Sequence, residues 1–328
     1  MIVDAHNDLL LELELRRDEE NPFGRHWLPK LRAGGVALQV CPIFTSDRSP
    51  GEHRAAGLVY REAWERALAE NADDVFPVLT ASDLDRVGTD GRIGLLLSLE
   101  GVEPVTDGFD EWWDAGVRMA GLTWNRPTWA AGGLDTPAEG LTDAGRDLVV
   151  ELVQRGVVLD LAHASPPTCD ELLATGGHLV CSHACCRALE DVERNLSDEQ
   201  LRALAARDGV LGLMALTLVV GYDRPTIDGL LDHLDHAVAV MGLEHVGFGA
   251  DVIDQVTAAE LEAGRPLEPV VEEARTRGDG RLGLDDFTGP EHYPALVAAL
   301  GRRGYDDAAV DAVTHGNFLR VLRSALPV

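Results

Sequence analysis

Val246-Gly247-Phe248-Gly249-Ala250-Asp251 is the stretch on which the fold turns. A short apolar run passes into small residues and then stops on a carboxylate. Nearly continuous apolar runs of this length suit parallel strands covered on both faces. The same pattern recurs upstream, in Leu159-Asp160-Leu161-Ala162-His163, in Leu97-Ser98-Leu99-Glu100-Gly101 and in Ile2-Val3-Asp4-Ala5-His6. Working outward, strand-length runs are predicted at 2–5, 36–44, 93–99, 117–123, 157–161, 179–182, 210–216 and 246–249. Helical segments separate several of them. Residues 52–71 supply one. Residues 143–154 carry an apolar stripe at Leu148, Val149, Leu152 and Val153. Ser197-Asp198-Glu199-Gln200 reads as a capping box that opens a helix ending near Gly209. Residues 229–241 form another amphipathic helix.

Eight strands alternating with helices over roughly 250 residues predict an α/β chain, a (β/α)₈ barrel. The rival is a doubly wound open sheet, but no glycine-rich dinucleotide turn follows the first strand. Helical segments at 293–302, 306–314 and 317–324 predict a C-terminal helical cap. With no repeat and no Pro/Ser-rich linker, residues 1–328 read as a single barrel domain. The stretch from Thr257 to Asp286 is rich in Glu, Arg and Gly, has little apolar periodicity, and reads as a surface excursion.

Composition narrows the function. The chain has 328 residues, with 56 acidic against 28 basic, a formal net charge of −28. Such a surface repels nucleic acid and anionic membranes, so neither is expected as a partner. A small-molecule substrate is expected, and a homodimer is left open. Lys30 is the sole lysine, and it has no P-loop glycines around it. Five cysteines without framework spacing predict reduced thiols and a cytoplasmic setting. The first residues carry no basic segment followed by a cleavable apolar one, which points the same way. Cys181, Cys185 and Cys186 surround His183, but the distant second pair of a zinc knuckle is missing, so they read as small buried residues.

In such barrels active sites form at the C-terminal ends of the strands. There the sequence places His6 and Asp8 after the first strand and Glu100 after the third. Trp124 and Asn125 follow the fourth. His163 ends the fifth, His183 the sixth and Asp251 the eighth. Imidazoles and carboxylates gathered at one rim predict a metal centre. Two ions fit better than one, with His6 and Asp8 on one, His163 and His183 on the other, and Glu100 bridging. Paired ions lie ~3.5–4 Å apart and share a hydroxide.

These motifs resemble those of the renal (membrane) dipeptidase family of binuclear zinc peptidases. The matching segments are His6-Asn7-Asp8, Ser98-Leu99-Glu100-Gly101, Leu122-Thr123-Trp124-Asn125, Asp160-Leu161-Ala162-His163-Ala164-Ser165, Ser182-His183, Arg194-Asn195-Leu196, residues 246–251 and Gly316-Asn317-Phe318-Leu319-Arg320, in family order. The resemblance implies a barrel with two Zn²⁺ per chain, held by His6, Asp8, the bridging Glu100, His163 and His183. It implies hydrolysis of free dipeptides by a metal-bridging hydroxide, with Asp251 as the acid/base and Arg194 facing the substrate. Trp124 and Asn125 stand where the mammalian form contacts substrate through a His. The alternatives on this scaffold are an N-acyl-amino-acid deacylase, a lactonase, or a binding protein without turnover. His233 and His236, spaced i, i+3, read as a structural hydrogen-bond cluster. His26 and Trp27 are left between pocket border and packing.

Overall fold

The computed structural model describes residues 1–49 and 51–328. Nine parallel strands form its sheet: β1 (Ile2–Asp4), β2 (Val36–Phe44), β3 (Val75–Pro77), β4 (Ile93–Glu100), β5 (Val117–Gly121), β6 (Val158–Asp160), β7 (Leu179–Ala184), β8 (Val210–Leu213) and β9 (Val246–Phe248). The ladder runs β2-β1-β9-β8-β7-β6-β5-β4, and β2 also pairs with β4 from Leu38↔Gly94 to Phe44↔Glu100. That last pairing closes eight strands into the expected barrel. The predicted runs matched the strands, with most ladders stopping one to three residues early. The residues left over are the ones that turn into the rim. β3 was not foreseen. It is three residues long and pairs with the start of β4, on the edge that β5 occupies only from Leu97 onward.

The helices follow the sequence signals closely. They include His53–Glu70, Asp143–Arg155, Asp198–Ala206 and Ile227–Met241. Ser197 and Gln200 make the reciprocal capping box, with the Ser197 side chain accepting from Gln200 N and Gln200 Oε1 from Ser197 N. The C-terminal cap is present and has a definite task. Val3, Leu38, Leu96, Met119, Val158, Val180 and Val210 form one buried cluster with Phe318 and Leu322 of the helix Asn317–Ala325. That helix therefore plugs the barrel at the end opposite the strand termini that carry His183 and Asp251.

The excursion from Thr257 to Asp286 departs from expectation. It contains the helices Asp254–Glu262 and Pro269–Arg277, and these fold over the C-terminal rim. Their few apolar residues, Val256, Val271 and Ala274 among them, line the cavity and join the edge of the core, too few to mark a stripe in the sequence. Asp254 fastens the two ends of the excursion by accepting from Leu282 N at 3.0 Å and Gly283 N at 2.7 Å.

Close backbone packing lets the ends of β7 and β9 meet. A Cβ on Gly249 would lie 1.9 Å from the carbonyl oxygen of Ser182. Gly249→Ala is therefore expected to destabilise the barrel by about 1–3 kcal/mol, the usual cost of overpacking. Urea unfolding should show a lower midpoint at unchanged slope. An unaltered midpoint would show that the two strand ends can part.

Candidate metal centre and substrate cavity

The rim residues converge because their backbones are held in uncommon shapes. His163 (φ 62°) and Asp251 (φ 49°) lie in the left-handed region that non-glycine residues seldom enter. Hydrogen bonds fix the Asp251 turn. Asp251 N donates to the His6 carbonyl at 3.0 Å. Ala250 N donates to Asp4 Oδ1 at 3.1 Å, and Val252 N to Asn7 Oδ1 at 2.8 Å. Asn7 Nδ2 in turn donates to Asp4 Oδ2 at 2.6 Å. The first strand thus clamps the last. At His163 the turn is tied by Thr123 Oγ1, which donates to its carbonyl at 3.3 Å.

The centre of the rim is Glu100, and its two oxygens face different partners. Oε2 lies 3.5 Å from His6 Nε2. Oε1 lies 3.0 Å from His163 Nε2 and 3.4 Å from His183 Nε2. Asp8 Oδ1 and Asp251 Oδ1 stand 3.8 and 3.9 Å from His6 Nε2. Two groups of donor atoms gather within 4.8 Å of one another, His6/Glu100/His183 and His6/Asp8/Asp251.

These residues fit metal ions. His6 Nε2, Asp8 Oδ1 and Asp251 Oδ1 are buried without a hydrogen-bond partner, although buried polar atoms are normally paired. The imidazoles are presented as ligands. His163 Nδ1 lies 2.7 Å from Asn125 Oδ1, an acceptor, so its proton sits there and Nε2 keeps the lone pair. His183 Nδ1 donates at 2.6 Å to Ser182 Oγ, whose own proton goes to Asp160. Asp160 also accepts from Ser182 N at 2.8 Å and Ala162 N at 3.0 Å. Such outer hydrogen bonds set the orientation and basicity of ligating histidines.

The electrostatics agree. Burial disfavours the His6 imidazolium, yet the carboxylates outweigh it, Glu100 first, and raise His6 to about 10. The carboxylates around His6 thus favour positive charge at this spot. Burial, helped by Arg194, lowers His163 to about 3, which keeps it neutral. Burial pushes Asp251 up to about 6 against the pull of His6.

Above the cluster lies a cavity of about 270 Å³. Arg194, Trp124 and Asn125 all line it, with Asp8, Glu100, His163 and Asp251. Arg194 has no carboxylate partner within 4 Å among the described residues. Its Nε is buried and unpartnered, and its Nη2 lies 3.2 Å from His163 Nε2. The Trp124 ring lies 5.6 Å from that of His163 and meets Phe44 edge-on at 5.3 Å. The roof comes from the excursion, which contributes Val256, Glu260, Val271 and Leu282 among others. Burial raises Glu260 to about 7. The excursion was invisible as a site element, because no metal-ligand or strand-end signal falls in it. Asp160 and Ser182 lay within quoted motifs, but their role needed the neighbouring strand to be seen.

Other candidates fall outside the cavity. His26 pairs with Glu19 at 2.8 Å, and Trp27 is buried with Nε1 donating to Glu12. His233 accepts from Cys186 N and binds the Val220 carbonyl, a structural role, while His236 pairs with Asp198. All five cysteines are free and buried, and none belongs to either donor group.

The relay behind His183 can be tested. Ser182→Ala removes the acceptor for Nδ1 and is expected to weaken metal affinity about 10–100-fold. Competition against a chelator would measure this, and an unchanged affinity would refute the relay.

Comparison with known proteins places the chain. Residues 1–280 match the family model described as membrane dipeptidase, peptidase family M19. An uncharacterized dipeptidase of Schizosaccharomyces pombe is 31% identical over 285 residues, covering 76% of this chain and 68% of that one. Dipeptidase 3 of Rattus norvegicus is 27% identical over 355 residues, covering 98% and 64%. Two solved structures share the fold. A metallopeptidase from Rhodobacter sphaeroides, liganded with a phosphinate mimic of L-Ala-D-Ala, matches at a TM-score of 0.83 with 24% identity and 99% of each chain covered. The dipeptidase AC metallopeptidase matches at 0.85 with 24% identity, over 100% of this chain and 99% of that one. With the barrel closed and the donor cluster at its rim, the chain belongs to the membrane dipeptidase family, peptidase family M19.

Proposed function

We propose that the rim cluster holds two zinc ions and that the chain uses them to cleave the peptide bond of free dipeptides. Family membership makes it a metallo-dipeptidase. The observation that carries the two-ion reading is the division of Glu100, with Oε2 toward His6 and Oε1 toward His163 and His183. His6 and Asp8 would hold one ion, His163 and His183 the other, with Glu100 shared. When bound, the ions acidify a coordinated water toward pKa ~7 and polarise the scissile carbonyl.

The chain's own residues supply the rest. Asp251 Oδ1 is buried, unpartnered and directed at the cluster, where it can take a proton from the attacking water and return it to the leaving amine. Arg194 offers an unpaired guanidinium to the substrate's C-terminal carboxylate, a bidentate match. Asn125 fixes the His163 tautomer from the cavity wall, and Trp124 bounds the space above it. The roofed, small cavity suits a dipeptide better than a long peptide. Barrel and roof would act as one catalytic domain over residues 1–328. A cytoplasmic setting fits the five free cysteines, and no helix among the described residues is long and apolar enough to cross a membrane.

Metal analysis tests the count. The purified, zinc-supplemented protein is expected to carry about two ions per chain and to turn over dipeptides such as Ala-Ala. Glu100→Gln should lower the occupancy of both sites together. Less than about half an equivalent in the wild type would refute the metal centre, and a Glu100→Gln variant with full metal and activity would refute the bridge. Asp251→Asn separates chemistry from binding. It should retain metal while kcat falls about 10²–10⁴-fold. Near-normal kcat in a metal-replete variant would remove Asp251 from proton transfer.

A further inference from the structure

The helix Asp254–Glu262 begins three residues after Asp251. Ile253, Val256, Thr257 and Glu260 from this segment line the cavity. Their spacing of i, i+3, i+4 and i+7 is one helix face. At 1.5 Å per residue, Glu260 lies about 10 Å along the axis from Ile253. The wall leading away from Asp251 is therefore mostly apolar and ends on a carboxylate. Val271 and Leu282 add further apolar surface to the cavity.

Glu260 is the carboxylate on that wall, and it makes no ion pair. Among the described residues no cation lies within 4 Å of it. The nearest cations, Arg265 and Arg48, act on it only through space, and their ion pairs go to other acids. Arg265 is on Glu14 at 2.7 Å and Asp47 at 3.8 Å. Arg48 is on Asp47 at 3.3 Å and Glu14 at 3.7 Å, and Arg126 is on Glu268 at 2.7 Å. Glu260 shares its cavity with the buried, unpartnered Asp251 Oδ1 and Arg194 Nε, so it faces the substrate space.

Orientation decides which part of a substrate meets it. Arg194 reaches over His163, on the β6–β7 side of the rim. The helix Asp254–Glu262 follows β9 and packs on the helix Leu9–Leu15 that follows β1, on the far side of the cluster. A dipeptide with its carboxylate on Arg194 and its peptide bond over the cluster directs its N-terminal residue toward this helix. An apolar stem tipped by a positive charge is the form of an arginine or lysine side chain. Resting on the dipeptidase reading, we propose that the enzyme selects dipeptides whose N-terminal residue is cationic, with Glu260 receiving the charge.

The test uses the zinc-replete enzyme with Arg-Ala and citrullinyl-Ala, which share shape and a free amino terminus but differ in side-chain charge. Ala-Arg and Ala-citrulline serve as the second pair. Arg-Ala is expected to exceed citrullinyl-Ala in kcat/KM by about 10-fold or more, as for a charge-assisted bond in a sheltered site. The second pair should differ much less. Glu260→Gln should bring the first ratio close to one, and Glu260→Lys should take it below one, with folding checked by circular dichroism and metal content. A wild-type ratio near one, a preference at the second residue instead, or a ratio that survives in folded Glu260→Gln would overturn the proposal. Should the variants fail to fold, the two wild-type ratios decide alone. If Ala-Ala is hydrolysed while the first ratio is one, only this inference falls. If no dipeptide is hydrolysed, the dipeptidase reading falls and takes this inference with it.

Discussion

A carboxylate buried at the mouth of a closed barrel has to be answered by positive charge or by donors, because leaving it bare costs several kcal/mol. Glu100 is answered on both sides. Its oxygens divide between His6 and the pair His163 and His183, and the surrounding carboxylates draw positive charge to this spot. The surrounding architecture serves to keep these groups within a few ångströms of one another. Barrel closure through β2 and β4 ends with Phe44↔Glu100, so the step that completes the sheet also seats the central carboxylate.

Holding such a cluster requires backbone conformations that the chain would not adopt unaided. His163 and Asp251 both sit at positive φ without being glycine. The compensation is local and buried. Asp4 and Asn7, at the end of the first strand, accept from two backbone amides around the turn that carries Asp251, and Asn7 in turn donates to Asp4. The motif His6-Asn7-Asp8 thus has two duties, candidate metal donors at its outer positions and a turn clamp at its centre. Asp160 does similar work for β7 through Ser182 and His183. Several residues that look like site residues in the sequence are supports for the site, and Asn125 has both characters.

The roof gives the cavity its polarity. The net charge of −28 suggests only a soluble, repelling surface when read as composition. In the fold most of those acids are exposed or paired with arginines, and a few are not. Arg194 and Glu260 both line the cavity without an ion pair, beside apolar residues such as Leu11, Met214 and Val256. That arrangement comes from which acids remain unpaired, not from how many there are.

Strand-length apolar runs, capping signals and polar residues at run ends are local features, and each was readable in the chain. They sufficed for the barrel, for the order of the strands and for gathering the candidate metal ligands at one end, because in a parallel barrel every strand end faces the same rim. The short strand β3 was missed because its run is broken by Pro77, a residue that argues against a strand. The excursion at 257–286 was read as a surface feature because its few apolar residues, such as Val271 and Ala274, are spread among many charged ones and form no regular stripe. The pairing of Glu100's two oxygens, the tautomers of His163 and His183, and the isolation of Glu260 depend on side chains distant in sequence. Hydrogen bonds and burial between such residues exist only once the barrel has closed, so these features belong to the tertiary structure alone.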